Sequence, residues 1–189
     1  VPQNNNQTYR IEVAGIVRDL PLTEVAPGVK IALVDLLGDV ELTQAAARAL
    51  APQLALLQPE ALVTPEAKSI PLAYALAVEL GCTYVTLRKT QKAYMEDAIS
   101  AETVSITTGT PQTLFLDARY RDRIAHRRVA IIDDVVSTGS TLEGMQKIMD
   151  AVGAQVVARA AIFTEGDPDR WRDILSLGHL PVFTNGAKD

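Results

Sequence analysis

VAIIDDVVSTGST, Val129 to Thr141, carries three kinds of residue in succession. Val129, Ala130, Ile131 and Ile132 are apolar and mostly β-branched, the make-up of a parallel strand buried on both faces. Asp133 and Asp134 follow, then Val135 and Val136. Ser137, Thr138, Gly139, Ser140 and Thr141 are small and rich in hydroxyls. Beyond them Leu142, Met145, Ile148, Met149 and Val152 recur three or four apart, which predicts a helix. A strand that stops at two carboxylates, turns through small residues and enters a helix makes a phosphate cradle. The first N–H groups of a helix lack internal partners, and its dipole favours an anion there. Gly139 lets the backbone come close to the ligand, and the hydroxyls add donors.

Outward from this stretch, strands and helices alternate. Helical spacing of Leu42, Ala45, Ala46, Ala49, Leu50, Leu54 and Leu57 predicts a helix from Glu41 to Leu57. A short strand at Ala61–Val63, a polar loop over Thr64–Ser69, a helix from Ile70 to Leu80 capped by Gly81, and a strand at Thr83–Leu87 come next. Residues 93–102 read as loop. Thr103–Thr108 and Gln112–Asp117 flank Gly109-Thr110-Pro111 as a hairpin. Arg119–Arg128 is charged surface, and Gln155–Phe163 is another buried strand. The order predicts an α/β domain, a mainly parallel twisted sheet with helices on both faces. Ligands bind such sheets at the C-terminal strand ends. Three of these ends carry candidate loops: Thr64–Ser69, Arg88–Lys92 and Asp133–Thr141. The flanks are less regular. Residues 9–25 read as one or two short strands outside the core, and Lys30–Leu37 as strand or loop. Residues 1–8 are expected to be loosely attached. Trp171, Leu175, Leu177, Leu180, Val182 and Phe183 are expected in a small terminal lobe.

At 189 residues the chain suits one domain, residues 9–189, with a core large enough to need no staple. One cysteine, Cys82, excludes an internal disulfide, and with two histidines it leaves no ligand set for structural zinc. A net charge of −5 argues against non-specific nucleic-acid binding. No apolar run is long enough to span a membrane and the N-terminus has no export core, so a cytoplasmic setting is expected. Gly-x-x-x-x-Gly-Lys-Ser/Thr and Gly-x-Gly-x-x-Gly are both absent, which disfavours an ATPase and a dinucleotide fold.

What remains is a cradle for one phosphate beside two acids, and here VAIIDDVVSTGST resembles the phosphoribosyl-pyrophosphate signature of the type I phosphoribosyltransferases. The resemblance covers about Ala61–Gly166 and is nearest to adenine phosphoribosyltransferase-like proteins. It implies that Ser137, Thr138, Gly139, Ser140 and Thr141 hold the 5′-phosphate. Asp133 and Asp134 would face the ribose hydroxyls, directly or through Mg²⁺ and water. Glu66, Ala67, Lys68 and Ser69 would bind pyrophosphate, with Arg88, Lys89 and Lys92 as its counter-charges. Ser100-Ala101-Glu102 matches the Ser-x-Glu of the flexible loop in the adenine branch, and the resemblance implies that Glu102 would be the acid/base for the purine. A hood from about 9–28 and 167–189 would bind the base, with Arg18 beside Asp19 as a candidate and Val135 and Val136 behind it. The 6-oxopurine branch carries an acid at the position of Ser137, so adenine is the expected base; xanthine enzymes also lack that acid. Mg²⁺ is the implied cofactor and a homodimer the implied assembly. The competing reading is a regulator that binds phosphoribosyl pyrophosphate without catalysis.

Overall fold

The computed structural model describes residues 7–104 and 111–184. Five parallel strands form the main sheet in the order β10-β9-β8-β4-β5. They are β4 (Ala61–Pro65), β5 (Thr83–Leu87), β8 (Arg128–Val136), β9 (Gln155–Glu165) and β10 (Leu175–Leu180). The opening stretch is thus the central strand, flanked on both edges by partners. Pairing on both edges satisfies the backbone of its first half, and Val129, Ala130, Ile131 and Ile132 are completely buried. The strand does not stop at the acids: it continues through them to Val136, held by pairing to β9.

Side chains alternate between the two faces. Leu62, Ala130 and Ile132 pack under α1 (Val40–Leu56) and α2 (Ile70–Leu80). Ala61, Val63, Val129 and Ile131 pack under α3 (Ser140–Ala151). This is the expected doubly covered sheet, and α2, β5 and α3 fall where the periodicity placed them.

The flanks differ from expectation. β1 (Thr8–Val13) and β2 (Ile16–Ala26) are regular antiparallel strands, and Ile11, Val13 and Leu20 enter the main core. Short apolar pairs were a poor guide because only one face of this small sheet is buried. Thr8 already belongs to β1 and Gln7 accepts the N–H of Leu22 at 2.9 Å, so the loosely attached segment does not extend to them; residues 1–6 lie outside the described residues. Lys30–Leu37 divides: β3 (Val29–Ala32) pairs with β2, and the rest is loop. β6 (Ile99–Val104) begins within the stretch read as loop and pairs with β7 (Pro111–Leu116). The turn at Gly109-Thr110 and residues 105–108 lie outside the described residues.

The terminal lobe is also corrected. β10 lies parallel to β9 and closes one edge of the main sheet, with Leu180 in the core. Among the described residues of this segment only β11 (Phe183–Thr184) reaches the small sheet, where it pairs with β3; residues 185–189 lie outside the described residues. β1–β2–β3–β11 make up that sheet. Alternating apolar residues in LSLGHL gave β10 no stronger strand signal than an irregular packed loop would have.

Candidate active site

β4 and β8 pair over only three residues, from Ala61↔Val129 to Val63↔Ile131. Beyond that point Thr64 and Pro65 follow β5, while Asp133 to Val136 follow β9. The strands separate, and their connections leave in opposite directions: α2 covers one face and α3 the other. A crevice therefore opens at the C-terminal strand ends where the winding reverses, the place where open α/β sheets bind ligands.

On one side of the crevice, the loop Glu66–Ser69 enters α2, and its Glu66–Ala67 peptide is cis. Thr64 and Ser69 hydroxyls are 2.9 Å apart, and Ser69 Oγ donates to Pro65 O at 3.1 Å. That hydroxyl is used inside the loop and does not cap the helix. Ala67 is exposed. Lys68 points its ammonium to Val34 O at 2.9 Å, toward the connection from the small sheet. Glu66 Oε2 accepts the Lys89 backbone N–H at 3.0 Å and lies 3.2 Å from Arg88 Nε. The guanidinium nitrogen is buried without an aligned acceptor, so this contact is an ion pair and not a hydrogen bond. Glu66 thus ties the first loop to the second. Lys89 is exposed and Lys92 half-buried.

On the other side, Asp133 is buried and Asp134 half-exposed, and Asp133 Oδ1 accepts the Asp134 N–H at 2.9 Å. Burial pushes the Asp133 carboxyl well above the usual aspartate range, the Asp134 charge adds to the shift, and the Lys89 ammonium opposes it. Lys89 therefore acts across the crevice on Asp133. Val135 and Val136 close the strand; Val135 packs toward the α1–α2 face and Val136 toward α3.

The loop after β8 turns at Gly139, whose φ of 83° lies in the left-handed region. A Cβ there would fall 2.6 Å from the Trp171 ring, so both conformation and space require glycine. Ser140 is buried and pairs with the Thr138 hydroxyl at 3.1 Å. The N-cap residues of α2 and α3, Ser69 and Gly139, supply no side-chain cap, and Thr138 Oγ1 accepts the Ser140 N–H at 3.4 Å. α1, away from the crevice, is capped by Asp39, which accepts from Leu42 N at 3.1 Å. The two helices that begin at the crevice are those whose N-cap residue offers no capping side chain.

Three residues of this region are not among those expected at the site, Trp171 being expected in the terminal lobe. Glu165 ends β9, is buried, and accepts the Ser137 hydroxyl at 2.6 Å. Arg170 donates to Thr138 O at 2.8 Å, and Trp171 covers Gly139 and donates to Glu165 O at 3.0 Å. Together they clasp residues 137–139 from outside. The signal was present at Glu165, an acid closing an apolar strand at the same sheet end as Asp133.

Two expected site residues lie apart. Arg18 makes four hydrogen bonds, two to Asp39, one to Glu41 and one to Val17 O. These carboxylates hold its pKa above the usual arginine value. It fastens the small sheet to the start of α1. Glu102 is exposed on β6; its backbone carbonyl accepts from Lys147 of α3 at 3.1 Å. Among the described residues, no group of three or more His, Cys, Asp or Glu side chains forms a metal cage. No helix among them is long and apolar enough to cross a membrane.

Residues 37–175 match the family described as phosphoribosyl transferase domain. A hypoxanthine/guanine phosphoribosyltransferase of Methanocorpusculum labreanum is 27% identical over 94% of this chain and 88% of that protein. An adenine phosphoribosyltransferase of Desulfitobacterium hafniense is 30% identical over 80% of this chain and 83% of its own length. The purine biosynthesis transcriptional repressor PurR of Bacillus subtilis is 30% identical over 79% of this chain, which spans 52% of that protein. Among solved structures, adenine phosphoribosyltransferase from Thermoanaerobacter pseudethanolicus superposes with a TM-score of 0.66 at 22% identity, covering 94% of this chain and 98% of the other. The Trypanosoma brucei enzyme, solved with AMP, pyrophosphate and ribose-5-phosphate, gives 0.59 at 19% identity over 76% and 67% of the two chains. At these identities the structural likeness concerns the fold. With the signature strand at the centre of this fold and the family match spanning most of its length, the chain belongs to the type I phosphoribosyltransferases, in the phosphoribosyl transferase domain family.

Proposed function

We propose that the protein transfers phosphoribose from phosphoribosyl pyrophosphate to a purine, with adenine as the base, releasing pyrophosphate and forming the nucleotide. The observation that carries this reading is the pair of helix starts, each without a capping side chain from its N-cap residue, on either side of a buried acid. A ribose bearing phosphate at one end and diphosphate at the other needs two anion sites with a carboxylate between them. Ser137 to Thr141 would take the 5′-phosphate. Residues 66–69, with Arg88, Lys89 and Lys92, would take the diphosphate. Asp134, the more accessible acid, would meet the ribose hydroxyls, and both acids would stabilise positive charge developing on the sugar. Mg²⁺ on the diphosphate would neutralise its charge, with Asp133 and Asp134 holding the ion's water shell. The small sheet would form the hood over the base, with Val135 behind it, since Val136 is buried on the opposite face toward α3; Glu102 on the β6–β7 hairpin would reach the purine on closure. The protein would work as a homodimer in the cytoplasm. Adenine is favoured by a hydroxyl, not an acid, at position 137. The likeness to PurR favours a second reading, a binding protein without turnover.

The deciding assay supplies phosphoribosyl pyrophosphate, Mg²⁺ and each of adenine, hypoxanthine, guanine and xanthine, and measures nucleotide. Adenine is expected to give the highest kcat/KM. Replacing both acids, Asp133→Asn with Asp134→Asn, is expected to lower transfer on the order of 100-fold or more while the protein stays folded. Tight donor binding with no turnover of any base would establish the regulator.

A further inference from the structure

Glu165 is a buried carboxylate that the proposed transfer chemistry does not use. It is 4% exposed, yet its partner Ser137 opens to solvent at the head of the phosphate loop. Ser137 Oγ donates its only proton to Glu165 Oε2 at 2.6 Å. In that state the hydroxyl turns lone pairs, not a proton, toward the crevice, and a carboxylate stands directly behind it. Both features disfavour a phosphate. A single proton reverses them. Protonated Glu165 donates to Ser137 Oγ, and the Ser137 O–H is released to donate to a phosphate oxygen.

We propose that the Glu165–Ser137 pair couples occupancy of the phosphate loop to uptake of one proton, with Ser137 reversing its hydrogen bond as the anion arrives. The proton comes from the solvent and ends on Glu165; no covalent bond to the ligand is made or broken. Desolvation already raises the Glu165 pKa, while the Ser137 hydrogen bond and the nearby His179 of β10 oppose that shift. His179 is itself held by Thr164 Oγ1 and Gly166 O, each at 3.0 Å. The other charged groups around the loop are Arg170, which donates to Thr138 O, and Asp133 and Asp134 at the end of β8. A bound dianion adds negative charge beside Glu165 and pushes its pKa further up, so binding draws in the proton.

This inference rests on the 5′-phosphate reading of residues 137–141, and the probe is ribose 5-phosphate. Titration calorimetry in buffers of different ionisation enthalpy gives the protons taken up per ligand. Wild type is expected to take up as much as one proton more than Glu165→Gln near neutral pH. Its affinity should fall with rising pH by up to tenfold per unit relative to the variant, since one proton is linked. The ligand's own second ionisation, near pH 6, is common to both proteins. Ser137→Ala removes the hydrogen bond that holds the Glu165 pKa down, so Glu165 is protonated before the ligand arrives and the uptake on binding should fall; it serves in place of Glu165→Gln if that variant fails to fold. Equal proton uptake and parallel pH profiles in wild type and variants would overturn the proposal while leaving the phosphate site intact. Absence of ribose 5-phosphate binding to wild type would overturn the phosphate reading and this inference together.

Discussion

Asp133 shows how a residue can serve a site at the expense of stability. Its carboxyl is buried beside a second acid, so the folded protein holds its proton more tightly than the unfolded chain does. A group with a raised folded pKa contributes stability that is fully present below its unfolded value, about 3.9 for aspartate. That contribution is lost as pH rises through the folded value. At neutral pH the ionised acid therefore weakens the fold. Asp133→Asn is expected to raise the Tm at pH 7–8 by a few degrees, the shift that roughly 1 kcal/mol makes in a chain of this size. The gain should shrink as the pH falls toward 4. Thermal melts across that range test this, and a variant less stable than wild type at pH 8 would show that the acid is held by favourable contacts instead. Set beside the loss of transfer expected when both acids are replaced, such a gain would place stability and activity in opposition at the end of β8.

At the scale of an element, the starts of the three helices divide by purpose. α1 begins with Asp39, whose carboxylate accepts from Leu42 N and from Arg18. Arg18 holds the Asp39 carboxyl below the usual aspartate range. The cap and the ion pair separate by substitution. Asp39→Ala removes both and is expected to cost about 1–2 kcal/mol, most of it from the cap. Asp39→Asn keeps a capping oxygen and loses the partly exposed ion pair, worth about 0–1 kcal/mol. Urea unfolding of the two variants measures the difference; equal losses would mean that the Arg18 contact dominates. The N-cap residues of α2 and α3, Ser69 and Gly139, provide no such carboxylate, and these two helices start at the crevice.

The whole molecule places those two starts on opposite faces of one sheet. The crevice exists because β4 and β8, neighbours in the sheet, are separated in the chain by α2, β5 and the β6–β7 hairpin. A ligand that spans the crevice binds only the folded state. Phosphoribosyl pyrophosphate with Mg²⁺, at 100 times its Kd, is expected to stabilise the protein by about 2.7 kcal/mol. That corresponds to a Tm rise on the order of 5–10 °C. Scanning fluorimetry reads this directly, and ribose 5-phosphate at equal concentration should give a smaller shift because it lacks the diphosphate. No shift with either ligand would remove the basis for the transfer reading.

Val129 to Thr141 carried its own meaning because its determinants are local. Burial on both faces demands an unbroken apolar run, and a phosphate cradle demands glycine and hydroxyls next to each other. The helix over Ile70–Leu80 and the strand over Thr83–Leu87 were legible for the same reason, periodicity closed by Gly81. What depended on distant partners was not legible. β1 and β2 became strands by pairing with each other, and β10 by lying against β9. Arg18, a candidate for the base by its position alone, was taken by Asp39 and Glu41, more than twenty residues away. Glu165 met Ser137 across 28 residues of chain only because β8 and β9 run parallel and in register, so that both strands end at the same edge of the crevice. Local pattern sets which element forms and what it can bind; pairing and register between remote segments decide which side chains meet there.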